Sequence, residues 1–334
     1  MKRLAILLVL LVGCSDDGRA AESPDGAVVD AAADATVDTS PDAPNVPDAS
    51  LDDAASCTTA PQVRMNVPYA EVEGVPPTLL SLDAYPLANC APKPIVVYVH
   101  GGGWRRGDKG NSIRPKVALF NEAGYVFVSV NYRLSPLELP ADGVLDPNRV
   151  MYPIHNQDVA TAIAFLHERA ADIGGDPSKI AIIGFSAGAG IVSSVATDES
   201  FLQGVGLDLS NLNCTVSLDT EGYDVRSQAE MMVPIYINAF GEDPEVWDQA
   251  SPINHVDPGK GIPDFLILTR GSARRVALSM QFANDLQAAG VPAEVVVTQS
   301  LDHEGVNAAL GDPADTLVTP PVMRFLDGCF ADAL

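Results

Sequence analysis

Positive charge is scarce in this 334-residue chain: 20 lysines and arginines stand against 44 aspartates and glutamates, a formal net charge of −24. Such a surface repels phosphate backbones and anionic headgroups, which argues against nucleic acid and against an electrostatically held membrane partner. Cysteine is sparse as well, at five residues. No Cys-x-x-Cys or His-x-x-x-His pair supplies metal-ligand spacing, so neither a metal nor another cofactor is expected. Long apolar runs are also missing: the run Leu4 to Val12 is too short to span a bilayer as a stable helix.

That run follows Lys2 and Arg3 and reads as a secretory signal. Leu11-Val12-Gly13-Cys14 looks like a bacterial lipobox, which implies cleavage before Cys14 and acylation of that residue. From Ser15 to Ser56 the chain is rich in Asp, Ala, Pro and Ser, carries eleven acidic residues against Arg19, and has no aromatic residue. It cannot bury enough apolar surface to offset its ordering entropy and is expected to be a disordered tether. The expected organisation is a signal at 1–13, a lipidated cysteine and tether at 14–56, and one large domain at 57–334. The expected location is outside the cytoplasm, with the membrane reached only through the lipid anchor. Once Cys14 is acylated, Cys57, Cys90, Cys214 and Cys329 remain, an even number that points to two disulfides. Three pairings are possible. Cys57–Cys90 with Cys214–Cys329 is favoured, because it would staple the first strands and the last helix.

The domain alternates strands and helices. Val63 to Tyr69, Thr78 to Tyr85, Ile95 to Val99, Tyr125 to Val130, Lys179 to Ile183, Thr215 to Leu218, Asp264 to Thr269 and Glu294 to Thr298 read as strands, several of them continuous β-branched runs buried on both faces. Helical spacing appears at Pro115 to Ala123, at Val159 to Ala170, and at Val276 to Ala289, with a last helix after Pro320-Pro321. This order implies an α/β fold with a mostly parallel sheet whose reactive groups lie at the strands' C-terminal ends. One small insertion, about Asp219 to Pro263, follows the sixth strand and is placed to form a lid. Only about forty residues of the domain precede His100, too few for an N-terminal helical cap, so an open cleft is expected.

Two of these strands end in glycine motifs, His100-Gly101-Gly102-Gly103-Trp104 and Gly184-Phe185-Ser186-Ala187-Gly188, and His303 follows the last strand. A Gly-x-Ser-x-Gly alone arises often by chance; here a strand leads into it and small residues follow, the context of a nucleophile elbow. With these residues, and with Val128 to Leu134 and Asp158 to Ser186, the chain resembles the α/β-hydrolase superfamily. It is most similar to the hormone-sensitive-lipase-like and feruloyl-esterase-like carboxylesterases, over about Val63 to Phe330. The resemblance implies an α/β-hydrolase fold and a serine carboxylesterase acting on a small or aromatic ester. An arylformamidase or acetyl-xylan-esterase-like hydrolase, and a non-catalytic binding module on the same fold, stay open; so does the oligomeric state.

The resemblance implies Ser186 as nucleophile, His303 as base, and backbone N–H groups of Gly102, Gly103 and Ala187 as oxyanion donors. His100 is expected to hold the glycine loop by a side-chain hydrogen bond. His155, His167 and His255 read as surface or capping residues. The acid departs from the family pattern: where relatives carry an aspartate after the seventh strand, this chain runs Gly271-Ser272-Ala273-Arg274-Arg275. Asp219, at the end of the sixth strand, is the first substitute and Glu221 the second. Asp264 lies at the wrong end of its strand, and Asp302 adjoins the histidine, where its carboxylate points away from the ring.

Overall fold

The computed structural model describes residues 63–87, 91–136 and 146–331. The expected signal, lipobox and tether at 1–56, together with Cys57 and Cys90, lie outside the described residues. The strands are β1 (Arg64–Pro68), β2 (Ser81–Tyr85), β3 (Lys93–Val99), β4 (Val126–Val130), β5 (Gly175–Phe185), β6 (Cys214–Leu218), β7 (Asp264–Thr269) and β8 (Ala293–Val297). The helices are α1 (Arg114–Glu122), α2 (Ile154–Arg169), α3 (Ala187–Thr197), α4 (Glu199–Gln203), α5 (Val225–Glu230), α6 (Pro234–Phe240), α7 (Pro244–Gln249), α8 (Ala273–Ala288), α9 (His303–Ala309) and α10 (Thr319–Ala331).

The strands form one sheet in the order β1-β2-β4-β3-β5-β6-β7-β8. Its first two strands run antiparallel to their neighbours and the other six are mutually parallel. The central strands are fully buried, as their unbroken Val/Ile runs require when helices cover both faces. One core packs Val97, Val99 and Ile182 against Ile163 of α2, Ile191 of α3 and Phe282 of α8. The other packs Val96, Ile183, Val216 and Leu266 against Phe120 of α1 and Val322 and Leu326 of α10. From β3 the chain goes first to β4 on one side and then to β5 on the other. The crevice between the ends of β3 and β5 is thus the topological switch point, where an open α/β sheet receives its ligand. Both glycine motifs end there.

The expected eight strands are present, with β5 starting four residues early at Gly175 and a further difference at the second strand. Thr78 to Leu80 turn as part of a 3-10 helix, and the strand starts only at Ser81. Pro77 opens that turn with its fixed φ, and Leu79 N–H closes it on Pro76 O at 2.9 Å. The last helix begins at Thr319 and takes Pro320 and Pro321 into its first turn, where the missing N–H groups have no helical acceptor to lose. The insertion folds as α5, α6 and α7, held down by Tyr236 and Phe240 of α6, whose rings meet Trp104 edge-on at centroid distances of 5.2 and 5.0 Å.

Two expectations fail. His155, read as a surface or capping residue, is fully buried near the start of α2, with its ring Nε2 3.0 Å from Ser135 Oγ and Tyr132 edge-on beside it. The helix starts five residues before Val159, so His155 belongs to its buried face; burial pushes the imidazole down to about 3 and keeps it neutral. The bridge expected between Cys214 and Cys329 is absent. Both are free thiols, facing each other between β6 and α10, and burial together with the Cys329 neighbour pushes the Cys214 thiol up. Strand end and helix bring the thiols together, but an S–S bond needs their oxidation as well.

Candidate active site

β5 delivers Ser186 through a turn that only small neighbours permit. A Cβ on Gly184 would stand 2.2 Å from the Gly188 carbonyl oxygen, and one on Gly188 would stand 2.2 Å from that of Val99. Ser186 itself has φ 55° and ψ −116°, a conformation that costs an L-residue about 1–2 kcal/mol, and its N–H donates to Leu218 O at 2.9 Å. The turn points the side chain out of the sheet at the N-terminus of α3, whose first N–H groups have no intrahelical acceptor.

His303 is the first residue of α9, started by Asp302, whose carboxylate accepts from Gly305 N–H. Asp302 is therefore a helix cap and turns away from the ring. The imidazole lies between two partners, Nε2 at 2.9 Å from Ser186 Oγ and Nδ1 at 2.6 Å from Asp219 Oδ2, with Phe185 packed on its face at 4.8 Å. These partners assign the tautomer: Nδ1–H donates to the carboxylate and Nε2 accepts the serine proton. Its side chain is 34% exposed and Ser186 is half-buried, so the pair faces an open cleft.

Asp219 caps the end of β6 with φ 53°, and its side chain is fully buried. Besides His303 it holds two cations. Arg270 Nε donates to Oδ2 at 2.7 Å and Arg275 Nε to Oδ1 at 2.8 Å, while Arg275 also reaches Asp219 O at 3.0 Å and Glu221 Oε2 at 2.6 Å. Burial pushes the Asp219 carboxyl up, but the His303 hydrogen bond, the Arg275 charge and the Arg270 hydrogen bond outweigh it and hold the group below the usual carboxylate range. Glu221, the second-choice acid, pairs with Arg275 and not with His303. Arg274 points elsewhere, with its guanidinium 3.1 Å from Met231 Sδ. In the sequence the Arg274-Arg275 turn stood out only as a departure from the family pattern, and Arg270 did not stand out at all. Their role was readable in principle, because a carboxylate ending a buried strand needs counter-charges and Arg270 ends the adjacent parallel strand.

The loop after β3 supplies the remaining wall. Gly101 abuts the nucleophile, a Cβ there falling 3.0 Å from Ser186 Cβ, and Gly102, at φ 116°, would drive one into Arg106 O at 2.0 Å. Gly102 and Gly103 follow Gly101 in this loop with positive φ, and a Cβ on Gly103 would meet the Ile235 side chain of α6 at 3.8 Å. His100 Nδ1–H donates to Gly101 O at 2.8 Å and its ring stacks on Tyr132 at 4.6 Å, so it secures the loop and touches no reacting atom. A 370 Å³ cavity beside this loop is lined by Gly101, Gly102, Arg106, Asn111, Phe185 and Glu304. A larger one of 600 Å³, around Tyr152 and Phe201, opens at the other end of α3, about 16 Å from Ser186 at 1.5 Å per residue. Among the described residues no group of three or more His, Cys, Asp or Glu could hold a metal ion.

The chain is similar to Carboxylesterase NlhH of Mycobacterium tuberculosis, 30% identical over 237 residues, 66% of this chain and 69% of that protein. It is also similar to Esterase LipQ of the same organism, 30% identical over 201 residues, 56% of this chain but only 44% of LipQ. Among solved structures, a truncated carbohydrate esterase from gut microbiota superposes with a TM-score of 0.64 at 22% identity, covering 82% of this chain and 98% of that one and sharing the α/β-hydrolase fold. The family model BD-FAE matches residues 82–283, from β2 through the glycine loop, the elbow and Asp219 into α8, and stops short of His303. The chain belongs to the BD-FAE family.

Proposed function

We propose that the protein is a serine carboxylesterase that hydrolyses small or aromatic esters through an acyl-enzyme. The observation that carries this reading is the unbroken line from Asp219 through His303 to Ser186, at 2.6 and 2.9 Å. Ser186 Oγ attacks the ester carbonyl as its proton passes to His303 Nε2, and Asp219 stabilises the imidazolium that forms. The carbonyl oxygen, now carrying the electron pair, faces the N–H groups of Gly102, Gly103 and Ala187. Collapse expels the alkoxide, which takes the proton from His303; water then repeats the sequence and frees the acid. The half-open position of Ser186 and His303 favours short acyl groups over a long chain in a tunnel. The NlhH and gut carbohydrate esterase names are consistent with ester chemistry.

A fluorophosphonate probe is expected to label Ser186 stoichiometrically, and a panel of p-nitrophenyl esters to give kcat/KM values falling with acyl length. Absence of labelling on folded protein would leave a binding module. Faster turnover of aryl formamides than of acetates would move the reading to an arylformamidase.

We also propose that the chain is exported and lipidated on Cys14, on the strength of the lipobox-like Leu11-Val12-Gly13-Cys14 after a short apolar run. Intact mass of the envelope protein is expected to show an acylated N-terminal cysteine, and Cys14→Ser to release or mis-process the protein. A wild-type protein without acyl mass, partitioning wholly into the aqueous phase of a detergent extraction, overturns this.

A further inference from the structure

The acid of this site is held unlike an ordinary triad acid. One fully buried carboxylate accepts from an imidazole and from two guanidinium groups, and both arginines come from the segment that follows β7. The arginine side chains are 22% and 14% exposed, so solvent screens the cluster only in part. Arg275 is polydentate: it spans Asp219 Oδ1, Asp219 O and Glu221 Oε2, and so fixes both the carboxylate and the turn that carries it. Such a fork is a geometry lysine cannot copy.

The charged and titratable groups around His303 are Asp219 after β6, Arg270 after β7, Arg275 on α8, and Glu221 behind Arg275. Ser186 lies at Nε2, and Asp302 and Glu304 flank the ring in sequence. As Ser186 attacks, the His303 ring becomes a third cation against a carboxylate that already faces two.

Resting on the esterase reading, we propose that Arg270 and Arg275 are positioning residues: they aim Asp219 at His303 and at the same time set two positive charges against the one that develops on the ring. The opposition acts through space and is set by charge, whereas the aim is set by the shape of the fork. The two are separable by substitution. Arg270→Gln and Arg275→Gln remove a cation each, so the imidazolium becomes easier to form, and the acid limb of kcat/KM is expected to move up by roughly half to one pH unit. Arg275→Lys keeps the charge and loses the fork. Its limb stays within about 0.2 unit of wild type while kcat falls several-fold. Glu221→Gln takes away the counter-charge of Arg275, and its limb moves the other way, down by a few tenths of a unit.

The experiment is the pH profile of p-nitrophenyl acetate hydrolysis for the full chain and these four variants, with an NMR titration of the His303 ring in each. The titration requires no turnover, so it reads the inference even if the fluorophosphonate test has removed the esterase reading. Upward shifts in the glutamine variants with a downward shift in Glu221→Gln support the proposal, since a merely structural role would not produce opposite signs. If the glutamine variants fail to fold, the Arg275→Lys and Glu221→Gln profiles decide it. Limbs and ring titrations that coincide with wild type within about 0.2 unit in every folded variant overturn it.

Discussion

Ser186→Ala is expected to lower kcat for p-nitrophenyl acetate by about 10⁴–10⁶-fold, down to the rate given by binding and oxyanion contacts alone. The side chain lost is a single hydroxyl in a half-open cleft, bonded only to His303 Nε2. Alanine keeps the Cβ at φ 55°, so the elbow's strain is unchanged and the melting temperature should stay within a degree or two. Because nucleophile and base act as one unit, His303→Ala should cost about as much, and the double variant little more than either single one. A Ser186→Ala enzyme with wild-type kcat would end the acyl-enzyme mechanism, whichever residues line the cleft.

Asp219→Asn should damage activity and stability together. An amide in place of the carboxylate offers His303 the wrong tautomer, a change expected to cost about 10³–10⁴-fold in kcat with little effect on KM. The two arginines add a second cost. With the carboxylate gone they face a buried amide, and breaking a buried ion pair from one side costs about 3–5 kcal/mol, or roughly 10 °C in melting temperature for a domain of this size. Kinetics must therefore be taken well below the variant's melting point, with circular dichroism on the same sample. Arg274→Ala, whose side chain meets only Met231 Sδ at 3.1 Å, is the control and should leave both quantities nearly unchanged. An Asp219→Asn enzyme within tenfold of wild type would remove Asp219 from the triad. As Glu221 is engaged by Arg275, that result would leave a Ser-His dyad.

The elements legible in the sequence are those with long or unambiguous physical signals. Ile95 to Val99 and Ile180 to Ile183 read as buried strands because they are short apolar runs, rich in β-branched residues and bounded by glycine, proline and polar residues. Ser186 stood out because a strained elbow, flanked by glycines that a Cβ would drive into backbone, has a recognisable local sequence. The helices of the insertion, α5, α6 and α7, were not legible, being only six or seven residues long, too short to establish a period. His155 was misjudged for a related reason: the apolar period starts at Val159, and the extra turn before it, which sets His155 against Ser135 and Tyr132, carries no period of its own.

The alternation of strands and helices, the family, the elbow at Ser186, and the strand end that carries a carboxylate are all written in the linear chain. These follow from local periodicity and from steric demands confined to a few neighbouring residues. Which of two adjacent arginines meets that carboxylate depends on how α8 packs in three dimensions. Arg274 and Arg275 share one turn of α8, and their directions diverge because successive helical residues lie about 100° apart around the axis. The lateral order of the strands is likewise absent from any local stretch of chain. It sets the end of β6 beside the end of β7 and turns Asp219, Arg270, Arg275 and His303 into one electrostatic unit.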